Sequence, residues 1–262
     1  MPVVFQKADN SNKIVILDKE VYNNRMRELL STKEYTKIKE DPTKKYTIAV
    51  NNSINNIQMI MTKQDKVAVK PNNPIIPKVY GLTKIHKTGN KMRPIVSNIG
   101  APTHKLAKWL VKRFESFPKL QTLSIKNSLD LIKKLEEVKI ERDDVLVSSD
   151  VSSLFPSIPL YKVVINLEKC LSSLYFSKFE ISEYVALTKL CILHNTFKFG
   201  ENFYIQNNGL AMGNPLSPFL ANLFMREFET HITSSFSWMY KVGTDKSMSF
   251  FASLKKNILT IP

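Results

Sequence analysis

The chain has no run approaching the roughly 18 apolar residues that a membrane-crossing helix needs. It has two cysteines, Cys170 and Cys191, each inside an apolar helical pattern. That setting favours packed thiols in a reducing compartment over a disulfide or a zinc site. The N-terminal MPVVFQKADN lacks the charged-then-apolar profile of a signal peptide. Together these absences predict an intracellular, soluble protein. No internal repeat or low-complexity tract is present. Acidic residues are scarce, 23 against 38 Lys and Arg, for a net charge of +15. None falls between Asp65 and Glu115, where Lys66, Lys70, Lys78, Lys84, Lys87, Lys91, Arg93, Lys105, Lys108, Lys112 and Arg113 accumulate. Such a stretch suits a surface facing nucleic acid, nucleotide or anionic lipid. Ordinary solvated lysines would account for it equally well.

What the chain does have is a globular balance, 262 residues with 43% apolar and 23% charged, enough for one large domain or two small ones. IVIL at 14–17 reads as a short strand, and 19–40 as a charged helix ended by Asp41-Pro42. A further helix is expected over 51–64. Pro71, Pro74 and Pro77 then mark the best internal boundary. Beyond it, β-branched residues flank Gly89-Asn90 and predict two strands joined by a turn. Thr103 is placed to cap a helix over 105–115 with Leu106, Leu110 and Phe114 on one face. Ser128 is placed to cap another, carrying Leu131, Ile132, Leu135 and Val138. VLV at 145–147 is a strand that leads to Asp150. Pro159 opens a helix bearing Val163, Val164, Leu167 and Leu171, and Ser182 is read as the cap of the next, with Leu187, Leu190 and His194 in one stripe. TFKFGENFYIQ alternates about Gly200-Glu201-Asn202 as a hairpin does. Ser217-Pro218 starts the helix through ANLFMREFE. Helical runs mixed with antiparallel hairpins give the α+β class.

Two segments carry the chemistry, SSDVSSLFPSIP at 148–159 and GLAMGNPLSP at 209–218. Nucleotidyl transfer uses two divalent ions about 4 Å apart. Magnesium is held by carboxylates together with substrate phosphates. Asp150, at a strand end, suits such a ligand, and the carbonyl of Val151 offers a second oxygen. Phe155 would lie under the sugar, where a bulky ring excludes a 2′-hydroxyl. Taken singly, Asp150 is a turn or capping aspartate and Phe155 a core aromatic. Their spacing after a β-run carries the specificity. Gly209 and Gly213 permit positive φ or close backbone approach, and Pro215 and Pro218 fix the loop and helix start. Lys84 and Arg93, on paired strands, project to one face and could meet on a triphosphate. Lys78, Lys87 and Lys91 add charge for a nucleic-acid backbone, although an exposed charged hairpin would look the same. His86 reads as a surface histidine and His194 as a packed one.

KVYGLTKIHKTGNKMRPIVSNIGAPTHKLAKWL, SSDVSSLFPSIP and FYIQNNGLAMGNPLSPFLANLFMREFE, in that order, closely resemble the reverse transcriptases of Penelope-like retroelements. The N-terminal KADNSNKIVILDKEVYNNRMRELLSTKEYTKIKEDPTKK resembles the region that precedes those blocks, so the likeness runs over about residues 5–238. It implies a right-hand polymerase: an N-terminal helical region at 1–70, fingers at 71–148, and a partial palm at 149–238 with an antiparallel sheet, the thumb missing. It also implies Asp150, with Val151, as metal ligands for Mg2+, Phe155 as the sugar-gate aromatic, and Lys84 with Arg93 as triphosphate contacts. Met212-Gly213 matches the nucleotide-adjacent loop, with methionine where many reverse transcriptases have glutamine. The implied partners are an RNA template, a DNA primer and deoxynucleoside triphosphates, in the nucleus. Thr83 stands where the family usually places proline.

The larger departure follows Glu229. The family continues into a strand reading like W-x-R-Y-V-D-D, whereas here Val242 is followed by Gly243-Thr244, and Asp245 is the only acidic residue beyond Glu229. Residues 239–262 read as unrelated or frameshifted sequence. One carboxylate does not hold two magnesium ions beside a polyanion. The expectation is therefore a reverse transcriptase domain by descent, inactive as this chain, with the Asp150 strand left as an open sheet edge. The alternative is a non-catalytic nucleic-acid-binding remnant built on the basic fingers.

Overall fold

A computed structural model describes residues 2–85, 89, 91–117, 127–136, 144–149, 151, 153–235, 240–243 and 250–255. Among the sequence-predicted positions, His86, Lys87, Val138 and Asp150 lie outside the described residues.

The chain opens with an antiparallel hairpin, β1 (Val3–Lys7) and β2 (Ile14–Asp18), whose Val4 and Leu17 turn inward. Asp18 then caps α1 (Lys19–Leu30) by accepting the N–H of Glu20 at 2.7 Å. The helix stops well short of residue 40. The hydroxyls of Ser31 and Thr32 donate back to the carbonyls of Glu28 and Leu29, each at 2.7 Å, and occupy acceptors a longer helix would use. The chain continues as strand β3 (Tyr35–Ile38), whose Tyr35 meets Phe197 edge-on at 5.8 Å. The proline break holds: Asp41 Oδ1 accepts the N–H of Thr43 at 2.8 Å as α2 (Thr43–Asn56) begins. That helix starts before the 51–64 segment and ends inside it. α3 (Lys63–Val69) follows, closed by a Thr62–Asp65 capping box.

β4 (Lys78–Thr83) and β5 (Met92–Ser97) pair antiparallel about Gly89, with Leu82 opposite Arg93 and Thr83 opposite Met92. α4 (His104–Glu115) buries Leu106, Leu110 and Phe114 completely, although Thr103 makes no side-chain capping bond. α5 (Ser128–Glu136) forms as expected, but Ile132 is half exposed. After β6 (Asp144–Ser149) comes a single turn, α6 (Leu154–Ser157), that the sequence pattern does not announce. α7 (Leu160–Ser172) follows Pro159 and buries all four expected residues, Val163, Val164, Leu167 and Leu171. α8 (Lys178–Leu193) begins before Ser182, because Ser177 and Glu180 form a capping box; Ser182 lies inside the helix and donates to the Phe179 carbonyl. β7 (Thr196–Phe199) and β8 (Asn202–Gln206) make the expected hairpin, and α9 (Ser217–Ser235) starts at Ser217-Pro218.

Two further strands follow, β9 (Tyr240–Gly243) and β10 (Phe250–Lys255). β10 pairs antiparallel with both β6 and β9, so Ser149, Phe250 and Gly243 share one row at one end of a β6-β10-β9 sheet. This corrects the expectation that the strands pairing with the Asp150 strand are lost: residues 250–255 pair with β6 along its length, and β6 remains the outer strand of the described sheet. The five-stranded sheet β3-β8-β7-β4-β5 is antiparallel apart from a parallel contact of β4 with β7 at Lys78 and Lys198. The class is α+β, as expected.

One apolar cluster joins α2, α3, α4, α7, α8 and α9, with Phe117 and Tyr184 in ring contact with each other and each with Phe114 and Phe176. A second lies between α1 and the five-stranded sheet. Cys170 and Cys191 are both free and buried, and desolvation pushes both thiols up, as packed thiols require. No described helix is long and apolar enough to cross a membrane.

The link between α2 and α3 is held by one carboxylate. Glu183 of α8, almost fully buried, accepts the N–H groups of Gln58 at 2.5 Å, Met59 at 3.0 Å and Ile60 at 3.1 Å. Three backbone donors thereby find an acceptor that no helix or strand supplies. Glu183→Ala should destabilise the chain by roughly 2–4 kcal/mol, since it strands those donors, and urea unfolding would measure it.

His194, read as packed, stacks on Tyr46 with ring centroids 3.9 Å apart and planes 14° from parallel. Desolvation, and then the nearby Lys45 charge, push its pKa down to about 4 from an ordinary 6.5. The unfolded chain therefore binds the proton more readily. His194 stabilisation should be complete above about pH 6.5 and be lost as pH falls toward about 4. His194→Phe, which keeps the stack but cannot titrate, should show a shallower fall of unfolding midpoint across that window.

Candidate functional site

A cavity of about 740 Å³ opens between the β4–β5 hairpin, the turn around α6, the loop before α9 and the joint before β3. Lys84, Lys91 and Arg93 line it from the hairpin, Val151 and Phe155 from the α6 turn, and Met212 from the loop. Six sequence-predicted residues from three distant segments thus border one space. The register explains the first three. Leu82 faces Arg93 and the Lys84 N–H donates to the Lys91 carbonyl at 2.9 Å, so Lys84, Lys91 and Arg93 share a face. Two predicted residues lie elsewhere. Lys78 is exposed at the opposite end of β4, and Gly213 packs on β5 without bordering the cavity.

The loop is fixed by backbone contacts on both sides. The N–H of Leu210 donates to the Phe155 carbonyl at 2.8 Å, and the N–H of Val96 to the Met212 carbonyl at 2.7 Å. Gly209 and Gly213 make both contacts possible. They have φ of +72° and +115°, and a Cβ would fall 2.4 Å from the Phe155 carbonyl oxygen at the first and 2.1 Å from the Val96 carbonyl oxygen at the second. Below the loop, Asn214 donates to the Cys191 carbonyl at 2.9 Å and accepts from the Leu216 N–H at 3.0 Å, while Ser217 Oγ donates to the Ala211 carbonyl at 2.7 Å. Asn214 and Ser217 are buried, and sequence reading gave Asn214 no role.

Sequence reading also missed Asn10, Thr32, Glu34 and Tyr35 as cavity lining. They come from the region placed ahead of the functional blocks. Thr32, Glu34 and Tyr35 reach the cavity beside the β3–β8 pairing, Tyr35 opposite Gln206, and Asn10 through the β1–β2 turn docked at Thr83, neither of which a local pattern encodes. Glu34 is the only carboxylate among the described residues of the lining; hydrogen bonds from the Thr32 hydroxyl and its own backbone hold it below the usual carboxylate range. Against it stand Lys84, Lys91 and Arg93, so the space favours an anion. Arg93 is paired with the buried Asp9 at 3.1 Å.

Asp150, the expected magnesium-binding carboxylate, lies outside the described residues. Among the described ones no group of three or more His, Cys, Asp or Glu side chains is arranged to hold a metal ion, and Val151, the other expected ligand, borders the cavity. Gly243 and Thr244 supply no carboxylate.

The mixed α+β fold thus sets a cavity between a basic hairpin and a glycine-bound loop. Residues 85–252 match the family model described as reverse transcriptase (RNA-dependent DNA polymerase), and the chain belongs to that family. The match runs past Trp238, through β9 and into β10. Among solved structures the chain is similar to telomerase from Candida albicans in complex with a TWJ fragment of telomeric RNA, with a TM-score of 0.57 and 10% sequence identity. That alignment covers 96% of this chain and 45% of the telomerase chain, and at this identity it speaks for the fold alone. A comparison with curated proteins found no match.

The loop gives a direct test of how the site is held. Gly213→Ala should cost about 3 kcal/mol or more, because a Cβ there meets the Val96 carbonyl and the φ is strained for any L side chain. Thermal unfolding, with Gly200→Ala at an open turn as control, would measure the difference.

Proposed function

We propose that the chain is the fingers and partial palm of a Penelope-like reverse transcriptase, with a deoxynucleoside triphosphate site in the 740 Å³ cavity and no polymerase activity of its own. The observation that carries this reading is the meeting of Lys84, Lys91, Arg93, Val151, Phe155 and Met212 around one space. The family membership supports the reaction class. In this reading residues 1–70 precede the polymerase blocks, 71–148 form the fingers and 149–238 the partial palm. Lys84 and Arg93 take the triphosphate, Phe155 lies under the sugar, and Met212 with Gly213 shapes the base side. A bound magnesium pair would supply charge neutralisation for the attacking and leaving oxygens, with Asp150 and the Val151 carbonyl as ligands. Gly243-Thr244 offers no carboxylate to complete that set, which is the ground for inactivity.

A second reading, nucleic-acid binding without synthesis, is favoured by the exposed lysines of α4, Lys105, Lys108 and Lys112, spaced to share one helix face. Lys78, Lys87 and Lys91 would extend the same electrostatic footprint.

Primer extension on an RNA template with magnesium tests the first reading. The chain should give no extended product; template-dependent synthesis abolished by Asp150→Ala would overturn the inactivity. In the same preparation a primer–template duplex should bind with an affinity that falls steeply as salt rises. Salt-insensitive binding, or none at low salt, would remove the second reading.

A further inference from the structure

Asp9 is a buried acid that the proposed chemistry does not use. It sits in the turn joining β1 and β2, which closes through the Ala8 N–H to the Lys13 carbonyl at 2.9 Å. Its own N–H donates to the Thr83 carbonyl at 2.9 Å. Beside it, Gln6 Nε2 donates to Thr83 Oγ1 at 2.6 Å. The N-terminal hairpin is therefore docked on β4 at the residue immediately before Lys84. The Thr83 carbonyl and hydroxyl thus each accept a donor from the hairpin.

From that position Asp9 Oδ1 reaches Arg93 Nη1 at 3.1 Å, with the Asp9 side chain 3% exposed and that of Arg93 30% exposed. A carboxylate this buried needs a paired cation. Arg93 meets that need with one edge of a planar group that carries five N–H donors in a fixed fork. Arg93 also lies between two spaces. It lines the 740 Å³ cavity and, with Asp9 and Asn10, a second one of about 500 Å³.

We infer that Asp9 is a positioning residue for Arg93, anchoring one edge of the guanidinium so that its remaining donors are held for the triphosphate of an incoming nucleotide. This rests on the proposed nucleotide site. Anchoring fixes a long side chain before the ligand arrives, so less rotamer freedom is lost on binding. Burial decides between anchoring and competition. An acid that competed with the triphosphate would have to release Arg93 and remain unpaired where water scarcely reaches it. A carboxylate held through its own backbone N–H and left at 3% exposure stays where it is.

The test is binding of a fluorescent deoxynucleoside triphosphate to the full chain in metal-free buffer, which keeps Asp150 out of the measurement. Asp9→Ala should weaken binding roughly tenfold. Asp9→Asn, the same shape with one acceptor oxygen kept, should weaken it less. Arg93→Ala should match Asp9→Ala, and the double variant should be no worse than Arg93→Ala alone. Affinity for the nucleoside without phosphates should be equal in all of them, which a general loss of folding would not give. Where Asp9→Ala fails to fold, Asp9→Asn carries the comparison. Unchanged or tighter triphosphate binding in the Asp9 variants overturns the inference, and so do losses that simply add in the double variant. If Arg93→Ala weakens binding and the Asp9 variants do not, the nucleotide site stands and only the positioning role falls. A wild-type chain that binds no triphosphate overturns both.

Discussion

The structure depends on how closely the 209–217 loop approaches two neighbouring backbones. On one side it meets the carbonyl of Phe155 and on the other the main chain of Val96, through hydrogen bonds of 2.8 and 2.7 Å. These two contacts tie the α6 turn to the β4–β5 hairpin and so bring three distant segments around one cavity. No side chain fits at either contact, which is why glycine occupies 209 and 213 and why both adopt positive φ. The buried amide of Asn214 and hydroxyl of Ser217 then satisfy the loop's own polar groups against α8 and the chain before α9. The apolar cluster beneath supplies the bulk of the stabilisation, but the loop decides what faces what.

The parts legible in the sequence were those whose signal is local. Pro159 before an apolar 3.6-residue stripe gave α7, and alternation about Gly200 gave β7 and β8. The basic hairpin could be read in register because glycine marked its turn. The errors came from partners far away in the chain. Tyr35–Ile38 looks like the tail of a charged helix until β8 is alongside it, and residues 57–62 look helical until Glu183 takes their amides. The Ser177–Glu180 capping box was a local signal that went unread. The site follows the same division. Lys84, Arg93, Phe155 and Met212 stand in short motifs, whereas Glu34 borders the cavity and Asp9 pairs with Arg93 through tertiary contacts alone.

The N-terminal region also changes standing. By sequence it precedes the functional blocks. In the fold it contributes a strand to the five-stranded sheet, a wall to the cavity and the acid that holds Arg93. Thr83 makes the connection specific. Its carbonyl and hydroxyl each receive a donor from the β1–β2 hairpin, so the residue before Lys84 becomes a docking point.

The three-stranded sheet separates descent from chemistry for a related reason. Its β6-β10-β9 pairing is made by main-chain groups, and the strands come level at Ser149, Phe250 and Gly243. Strand pairing of that kind does not require carboxylates at the positions that follow. Several acids gathered at one sheet end repel one another when no cation lies between them. A chain with Gly243 at that row brings no acid there, while under the proposed reading the Gly243-Thr244 sequence forfeits the charges that hold a metal pair. Sites of this sort commonly trade stability for activity, so losing the activity need not weaken the fold. A domain of this family can then keep its basic hairpin, its glycine-bound loop and the pairing of β10 with β6 and β9 with no acid at position 243.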